Sequence, residues 1–470
     1  GPAAAPTAEP VATEAPAATE APAATEAPAA PPSTGPIVFG MVAPMTGDAG
    51  EYGTQLERGV TMAVDEINAA GGINGRQIEL DICDDKCEPN EASLCAQRMT
   101  ANEDIFAVIG HVCSSCTLAG GPIYEQAGLT AMTVSSTNPE VTKKGWTHVF
   151  RTIANDGMQG PLIADLAVNT LGASKVAIVY ANHDYGKGLL DATEPAVAEL
   201  GAEVVAVETF APGVDKDFTS QLTKIAQAEP DVLVLLTDYS EGGLIAKQRM
   251  TAGLDQVQVI ASGGNSHLSF IELGGEGAEG VFFLNYFDAD NPDPAVQEFV
   301  GKYVALYDEK PATEIAPYGY EAPYIYKMAI EAGATKESLP DVLHTVKYTG
   351  VTGTTEFGPD GDVLDKGQFI LIVKDGEFTS YVPSAPAEGG ASDAGPIVLG
   401  TVAPRTGAAG QYGTQMERGV RLAVEEINAA GGINGQQIEL EICDDKCEPT
   451  EASLCAQRMT ANEDIFAVIG

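Results

Sequence analysis

The sequence predicts an α/β protein, with parallel sheets covered by helices on both faces and divided between two doubly wound lobes. Three observations predict it. Short apolar runs alternate with helical patterns from residue 37 to residue 261, the βαβα order that gives parallel sheets. Polar loops rich in Gly, Ser and Thr follow several of the runs directly. The strands also outnumber those of one ordinary sheet, so two lobes hold them more naturally.

Residues 37–42 are the first strand, and the Gly-rich stretch 43–53 is a loop. Leu56, Val60, Ala63, Val64 and Ile67 recur at helical spacing. They predict a helix over 55–70, stopped by Gly71-Gly72. Residues 77–82 are strand two, 91–101 helix two and 105–109 strand three. A further strand covers 129–134. Strands over 176–180, 203–209, 232–236 and 257–261 then alternate with helices over 186–200, 218–228 and 241–252. Helices over 294–307 and 318–332 come next. Residues 369–373 and 378–382, joined by Lys374-Asp375-Gly376, read as a hairpin on the strength of the Asp-Gly turn.

Two segments stand outside this pattern. Residues 1–34 are Pro, Ala, Thr and Glu with a TEAPAA repeat, which cannot build a core and predicts a disordered tether. Residues 384–395 read as a linker between the two-lobed domain at 35–383 and the C-terminal segment at 396–470. Residues 396–470 repeat 36–110 at a constant offset of 360. Gly35–Gly110 and Gly395–Gly470 differ at twelve of 76 positions, with every Gly and Cys kept, so the same fold is expected in both. The second copy stops short of counterparts to Ser114 and Thr137, and reads as a truncated tandem copy of the first-lobe start. The alternative is a segment that swaps into the first lobe in place of its twin.

Composition excludes several function classes. The net charge of −42 argues against nucleic acid and against anionic membrane surfaces as partners. It suits a soluble monomer. No run approaches 18 apolar residues, and no initiating Met or signal-like segment is present, so the chain reads as a mature form or a fragment.

The stretch 109–137 carries the functional signal. Ser114, Ser115 and Thr117 follow one strand, and Ser135, Ser136 and Thr137 follow the next. In open α/β sheets, ligands bind outside the carboxyl ends of the strands. Hydroxyls and free backbone N–H groups there suit a small polar or anionic ligand. Helix capping is the competing explanation for the same residues. The eight cysteines cluster at 83, 87, 95, 113 and 116 and again at 443, 447 and 455, as a disulfide set or a metal site would.

With these motifs assembled, the chain from about 36 to 382 resembles the leucine/isoleucine/valine-binding protein family, the extracytoplasmic receptors of ABC importers. The resemblance rests on Cys87-Glu-Pro, on the run from Ala107 through His111 to Thr117, and on Ser135-Ser-Thr-Asn-Pro139-Glu. It also rests on Ala43-Pro-Met-Thr-Gly47 with Tyr52-Gly53, on Ile67 to Gly75, and on Tyr185-Gly186. It implies the type I periplasmic-binding fold, two lobes joined by three crossovers that close on a ligand like a hinged trap. It implies that Ser114 and Thr137, with nearby amides, hold an α-carboxylate, and that Ser135 and Thr137 help hold an α-ammonium. Ser115 and Ser136 belong to the same loops. Tyr52 and Tyr185 would pack on the ligand from opposite lobes, with Asp238 and Tyr239 beside them. The acid that such binders place after the strand over 257–261 is missing, since that loop reads Ser262-Gly-Gly-Asn265. Either Asp238 pairs the ammonium, or the ligand carries none.

The resemblance further implies a disulfide between Cys87 and Cys113. Cys83 and Cys95 are candidates for a second bridge, and Cys116 has no obvious partner. Zinc is the rival reading, because Cys83-x3-Cys87 and Cys113-x2-Cys116 also fit paired ligand spacings. The expected function is capture of a small amino acid, branched-chain or polar, or a related amide, for an ABC permease. No cofactor and no catalysis are expected, and the protein is expected outside the cytoplasm, tethered as a lipoprotein. A ligand-binding sensor domain of a signalling receptor is the alternative. Gly275 to Gly280 fits G-x-G-x-x-G, but it precedes a strand rather than following one, so no dinucleotide loop is expected.

Overall fold

The computed structural model describes residues 1, 35–381, 395–406, 410–429, 432, 433, 436–462 and 465–469. The tether expected over 1–34, the linker expected over 384–395 and the last residue of the expected hairpin lie almost wholly outside the described residues.

The apolar runs form two sheets. The first has five parallel strands in the order Ile78–Asp84, Ile37–Ala43, Ile105–Gly110, Ala131–Thr133, Val149–Arg151. The second begins with five parallel strands in the order Glu203–Phe210, Lys175–Ala181, Val232–Leu236, Gln258–Ala261, Phe282–Asn285. It ends with the antiparallel pair Phe369–Lys374 and Glu377–Ser380. Central strands such as Val232–Leu236 are buried along their whole length, which is why they read as unbroken apolar runs. Asp375 and Gly376 take positive φ (54° and 77°), the turn that a two-residue hairpin needs. In each sheet the winding direction reverses beside the first strand laid down. The resulting crevices lie between Ile37–Ala43 and Ile105–Gly110, and between Lys175–Ala181 and Val232–Leu236.

The chain passes between the lobes three times. It leaves the first sheet at Arg151 for the helix Asp156–Asp165. It returns after Asn285 to the helices Pro294–Tyr307 and Ile315–Glu331. It leaves again after the small hairpin Lys347–Gly350 and Gly353–Glu356 for Phe369–Lys374. The helix Ile315–Glu331 lies along the helix Gly50–Ala69 and fixes the return to the first lobe. Gly59 makes that approach possible, since a Cβ there would stand 2.0 Å from the Ala316 carbonyl oxygen.

One buried ion pair ties the first crossing to the third. Arg151, fully buried, makes a bidentate pair with Asp362. Its Nη1 also donates to the carbonyls of Asn138 (2.7 Å) and Ser136 (3.2 Å), and Asn155 Nδ2 donates to Asp362 Oδ2 (2.8 Å). Burial opposes the Asp362 charge, but these partners outweigh it and hold its carboxyl below the usual range.

Two disulfides brace the first lobe. Cys83–Cys95 ties a strand to the following helix, and Cys87–Cys113 ties the loop after the edge strand to the loop after Ile105–Gly110.

The second copy forms the three-stranded parallel sheet Ile438–Asp444, Ile397–Ala403, Ile465–Ile469, with its own disulfide Cys443–Cys455. Its strand register matches the first copy residue for residue. The packing differs. Val468 is 49 % exposed where its twin Val108 is fully buried, and Leu422 is 58 % exposed where Met62 is 2 %. In the first lobe, the strand Ala131–Thr133 pairs beside Val108 and the helix Ile315–Glu331 covers the helix bearing Met62. The exposed thiol of Cys447 corresponds to Cys87.

Several helices start earlier than the apolar spacing predicts. The first begins at Gly50 rather than 55, so Tyr52 and Gly53 lie in its opening turns and not in a loop. Gly53 permits this, because a Cβ there would meet the Pro44 carbonyl oxygen at 2.1 Å. The helices Asp184–Glu199, Tyr239–Arg249 and Ile315–Glu331 likewise start two or three residues early.

These contacts set two stability outcomes. Arg151→Met should lower unfolding free energy in urea by about 3–5 kcal/mol, because it leaves the Asp362 charge poorly solvated. Adding Asp362→Asn should recover part of that loss, whereas strict additivity would mean the pair is not coupled. The Asp362 contribution should be present above its unfolded pKa and lost as pH falls through its lower folded value. Replacing Cys87 and Cys113 together by Ser should cost roughly 3.5 kcal/mol, against roughly 2.8 for Cys83 and Cys95, from the loop lengths they close. Unchanged urea midpoints would contradict this.

Candidate functional site

The loops beyond the carboxyl ends of both sheets meet across a cleft of about 690 Å³, within the range usual for small-molecule sites. The first lobe contributes Tyr52, Ser114, Ser115, Ser135, Thr137, Glu314 and Ile315 to its lining. The second contributes His183, Tyr185, Asp238, Tyr239, Gly264 and Tyr286.

The helix Ser114–Ala127 begins in the cleft wall. Its N-cap Cys113 provides no side-chain cap, so the first-turn N–H groups carry the positive end of the helix towards Ser114 and Ser115. Ser114 Oγ accepts the Asn138 N–H (3.3 Å), which leaves its own proton free to donate. The Thr137 hydroxyl is buried, and the group nearest to it as a hydrogen-bond acceptor is the Asp156 carboxyl. The arrangement suits an anionic oxygen.

Ser136 does not line the cleft. It is fully buried, with its hydroxyl on Thr117 Oγ1 (2.6 Å) and the Val112 carbonyl (2.9 Å). Alternation along the segment turns Ser135 and Thr137 towards the cleft and Ser136 into the body of the lobe, where it fixes the loop. His111 is likewise internal, with Nδ1 2.6 Å from Asp85 Oδ2 and Nε2 3.0 Å from the Tyr124 hydroxyl. Cys116 is a buried thiol close to the Cys87–Cys113 bridge, and burial pushes its pKa up.

Contacts across the cleft hold the lobes together. The Tyr52 hydroxyl reaches the Gly264 carbonyl and lies 3.2 Å from Asp238 Oδ1. The Tyr239 hydroxyl donates to the Asp48 carbonyl (2.7 Å), and its ring meets Tyr52 edge-on at 5.0 Å. Ser115 Oγ accepts the Asp184 N–H (3.3 Å), and Asn138 Nδ2 donates to the Asp184 carbonyl (2.6 Å). Tyr185 stays within its own lobe, donating to Ser262 Oγ (3.0 Å) and accepting from the Gly264 N–H (2.9 Å).

Asp238 is already engaged. His183 Nε2 lies 2.7 Å from its Oδ2, while His183 Nδ1 accepts the Gly186 N–H (3.1 Å) and so leaves the ring proton on Nε2. Burial disfavours the imidazolium, but the hydrogen bond and charge of Asp238 outweigh it and raise the His183 pKa. Glu314, by contrast, has no ion-pair partner among the described residues, and burial pushes its carboxyl up to about 7. Asp156 is raised to about 7 for the same reason. It sits behind the cleft wall, beside Gly188 and Asn138.

Sequence reasoning singled out the Ser/Thr loops, Asp238 and three of the four tyrosines that line this cleft, and missed His183, Tyr286, Glu314 and Ile315. His183 had a weak signal, two residues ahead of Tyr185 at a strand exit. Glu314 stood before an apolar helix, where an acid reads as an ordinary start-of-helix residue.

A family profile described as periplasmic binding protein matches residues 36–377 and again 396–470. An amino acid binding protein of Pseudomonas aeruginosa is 39 % identical over 218 residues, which is 46 % of this chain and 58 % of the relative. A Leu/Ile/Val-binding protein homolog of Brucella melitensis is 32 % identical over 346 residues, covering 73 % of this chain and 92 % of the relative. Among solved structures, the branched-chain amino acid transporter substrate-binding protein of Streptococcus pneumoniae, in complex with isoleucine, superposes with a TM-score of 0.69 at 29 % identity. That match covers 73 % of this chain and 98 % of the other. The doubly wound sheets, the cleft at their crevices and these similarities agree: the chain belongs to the periplasmic binding protein family, as a Leu/Ile/Val-binding-protein type of ABC-transporter substrate-binding protein.

Proposed function

We propose that this chain captures a small amino acid, branched-chain or polar, or a related amide, and presents it to a membrane permease without altering it. The observation that carries the reading is the meeting of both sheets' carboxyl-end loops in one cleft, bridged by Tyr52, Tyr239 and Ser115. The relatives support the class of ligand, and the transporter assignment of the Streptococcus pneumoniae protein favours an importer over a sensor. In this reading Ser114, Thr137 and the first-turn amides of Ser114–Ala127 hold the carboxylate. Ser135 and Thr137 help orient the ammonium. Tyr52, Tyr185 and Tyr239 enclose the aliphatic part, and Ser115 and Asp238 join the lobes when they close. Binding shifts an open–closed equilibrium, and the permease reads the closed form.

The same reading assigns 1–34 as a lipoprotein-like tether, 35–383 as the binding domain, 384–395 as a linker and 396–470 as a partial second copy. The protein acts as a monomer outside the cytoplasm, and exchange of the second copy between chains is a route to dimers. The cleft thiols are accounted for by the Cys87–Cys113 bridge, which supports binding without catalysis.

Thermal unfolding against leucine, isoleucine, valine, threonine, glutamine, acetamide and urea tests this, after ligand is stripped by partial unfolding. A true ligand at 100 times its Kd should stabilise by about 2.7 kcal/mol. No shift with any amino acid or amide would overturn the ligand class. Ser114→Ala and Thr137→Val should each weaken binding roughly 10- to 100-fold by calorimetry, as expected for losing a hydrogen bond to a charged group. Ser136→Ala should act on stability and leave affinity within a fewfold of wild type.

A further inference from the structure

We propose that Glu314, a first-lobe residue, is the acceptor for the ligand's cationic group, the place left open by the acid-free loop Ser262-Gly-Gly-Asn265. The inference rests on the amino-acid reading of the cleft and adds the residue that makes the site select for an ammonium. Three observations carry it. Glu314 lines the cleft and is 6 % exposed, and its Oε2 is fully buried with no hydrogen-bond partner among the described residues. It occupies the N-cap position of the 17-residue helix Ile315–Glu331, yet its side chain makes no capping hydrogen bond. The Ile315 N–H is taken instead by Thr313 Oγ1 (3.2 Å), which leaves the Glu314 carboxyl free of that task. Third, of the other acids that line the cleft, Asp238 is committed to His183 and Tyr52 and Glu241 to Lys216 and the Gly213 N–H, while Asp48 and Glu88 are exposed to solvent.

The neighbours of Glu314 are polar and neutral. Tyr286, which also lines the cleft, has a buried hydroxyl with no partner among the described residues. No Lys, Arg or His pairs with Glu314 among the described residues. A carboxylate buried without a cation is unfavourable, and the upward displacement of its pKa expresses that. An ammonium placed in the cleft would supply the missing charge, with the N-terminal end of the Ile315–Glu331 helix favouring the ionised carboxylate. Asp156 shares the displacement but not the position, because it lies behind the wall and does not line the cleft. Ligand carboxylate and ligand ammonium would then both be held by the first lobe, through Ser114, Thr137 and Glu314. The second lobe would provide enclosure.

The test is calorimetry on the full chain with leucine and 4-methylpentanoate, which is leucine without its ammonium, and with the matched pairs for valine and glutamine. Wild type should prefer each amino acid to its des-amino partner. Glu314→Gln should weaken amino-acid binding roughly 10- to 100-fold and leave the des-amino acids within a fewfold, so that the preference collapses. Asp238→Asn should keep the preference. The Gln variant removes an unpaired buried charge without changing shape, and its ligand-free melting temperature, at or above wild type, confirms that it folds. If the preference survives Glu314→Gln and collapses in Asp238→Asn, Asp238 is the acceptor and the proposal is wrong while the amino-acid reading stands. If wild type binds no amino acid, both fall together.

Discussion

The Arg151 guanidinium is the contact on which the two-lobed arrangement most depends. It is fully buried, and it satisfies its donors with Asp362, Thr142 and two backbone carbonyls. Asp362 belongs to the last passage between the lobes and Arg151 to the first, so one bidentate pair fixes how those two strands of chain leave the first lobe. The carbonyls it holds belong to Ser136 and Asn138, which bracket Thr137. Hinge and ligand loop are therefore parts of one hydrogen-bonded unit, and movement at the crossings is felt directly at a cleft residue.

From that anchor the site arises by topology. Each sheet reverses its winding beside its first strand, and helices of both lobes begin at the crevices. Small residues let those helix starts come close: Gly53 against Pro44, Gly59 against Ala316. The result concentrates positive helix ends, hydroxyls and aromatic rings in one volume while the molecule as a whole carries a charge of −42. Long-range steering of an acidic ligand by such a surface is unfavourable. Recognition must come from short-range groups in the closed cleft, which suits a zwitterion better than a simple anion.

The α/β class, the two lobes and the Ser/Thr loops were legible in the sequence because buried parallel strands write themselves as apolar runs such as Val232–Leu236. The helix starts were not. Gly50 to Gly53, Asp184-Tyr185 and Tyr239-Ser240 carry no apolar periodicity, because their side chains face the cleft or the crossing strands rather than a core. The same residues that bind are thus the ones that hide the element boundary. Ser136 shows the complementary limit: its neighbours and its chemistry match Ser135, and only the direction of its side chain separates them. Glu314 was invisible for a third reason, since an acid ahead of a helix has an everyday explanation that only its buried, uncapping side chain removes.

Ligand and hinge are coupled in this account, so that the lobes close around the molecule they bind. Pulsed dipolar spectroscopy tests that coupling most directly, with spin labels at the exposed positions Leu94 of the first lobe and Leu200 of the second, and with Cys447 replaced by Ser. Stripped protein should give a broad or double distance distribution that collapses to the shorter, closed distance when the stabilising amino acid is added. A single distance that stays the same while calorimetry records binding would contradict the account.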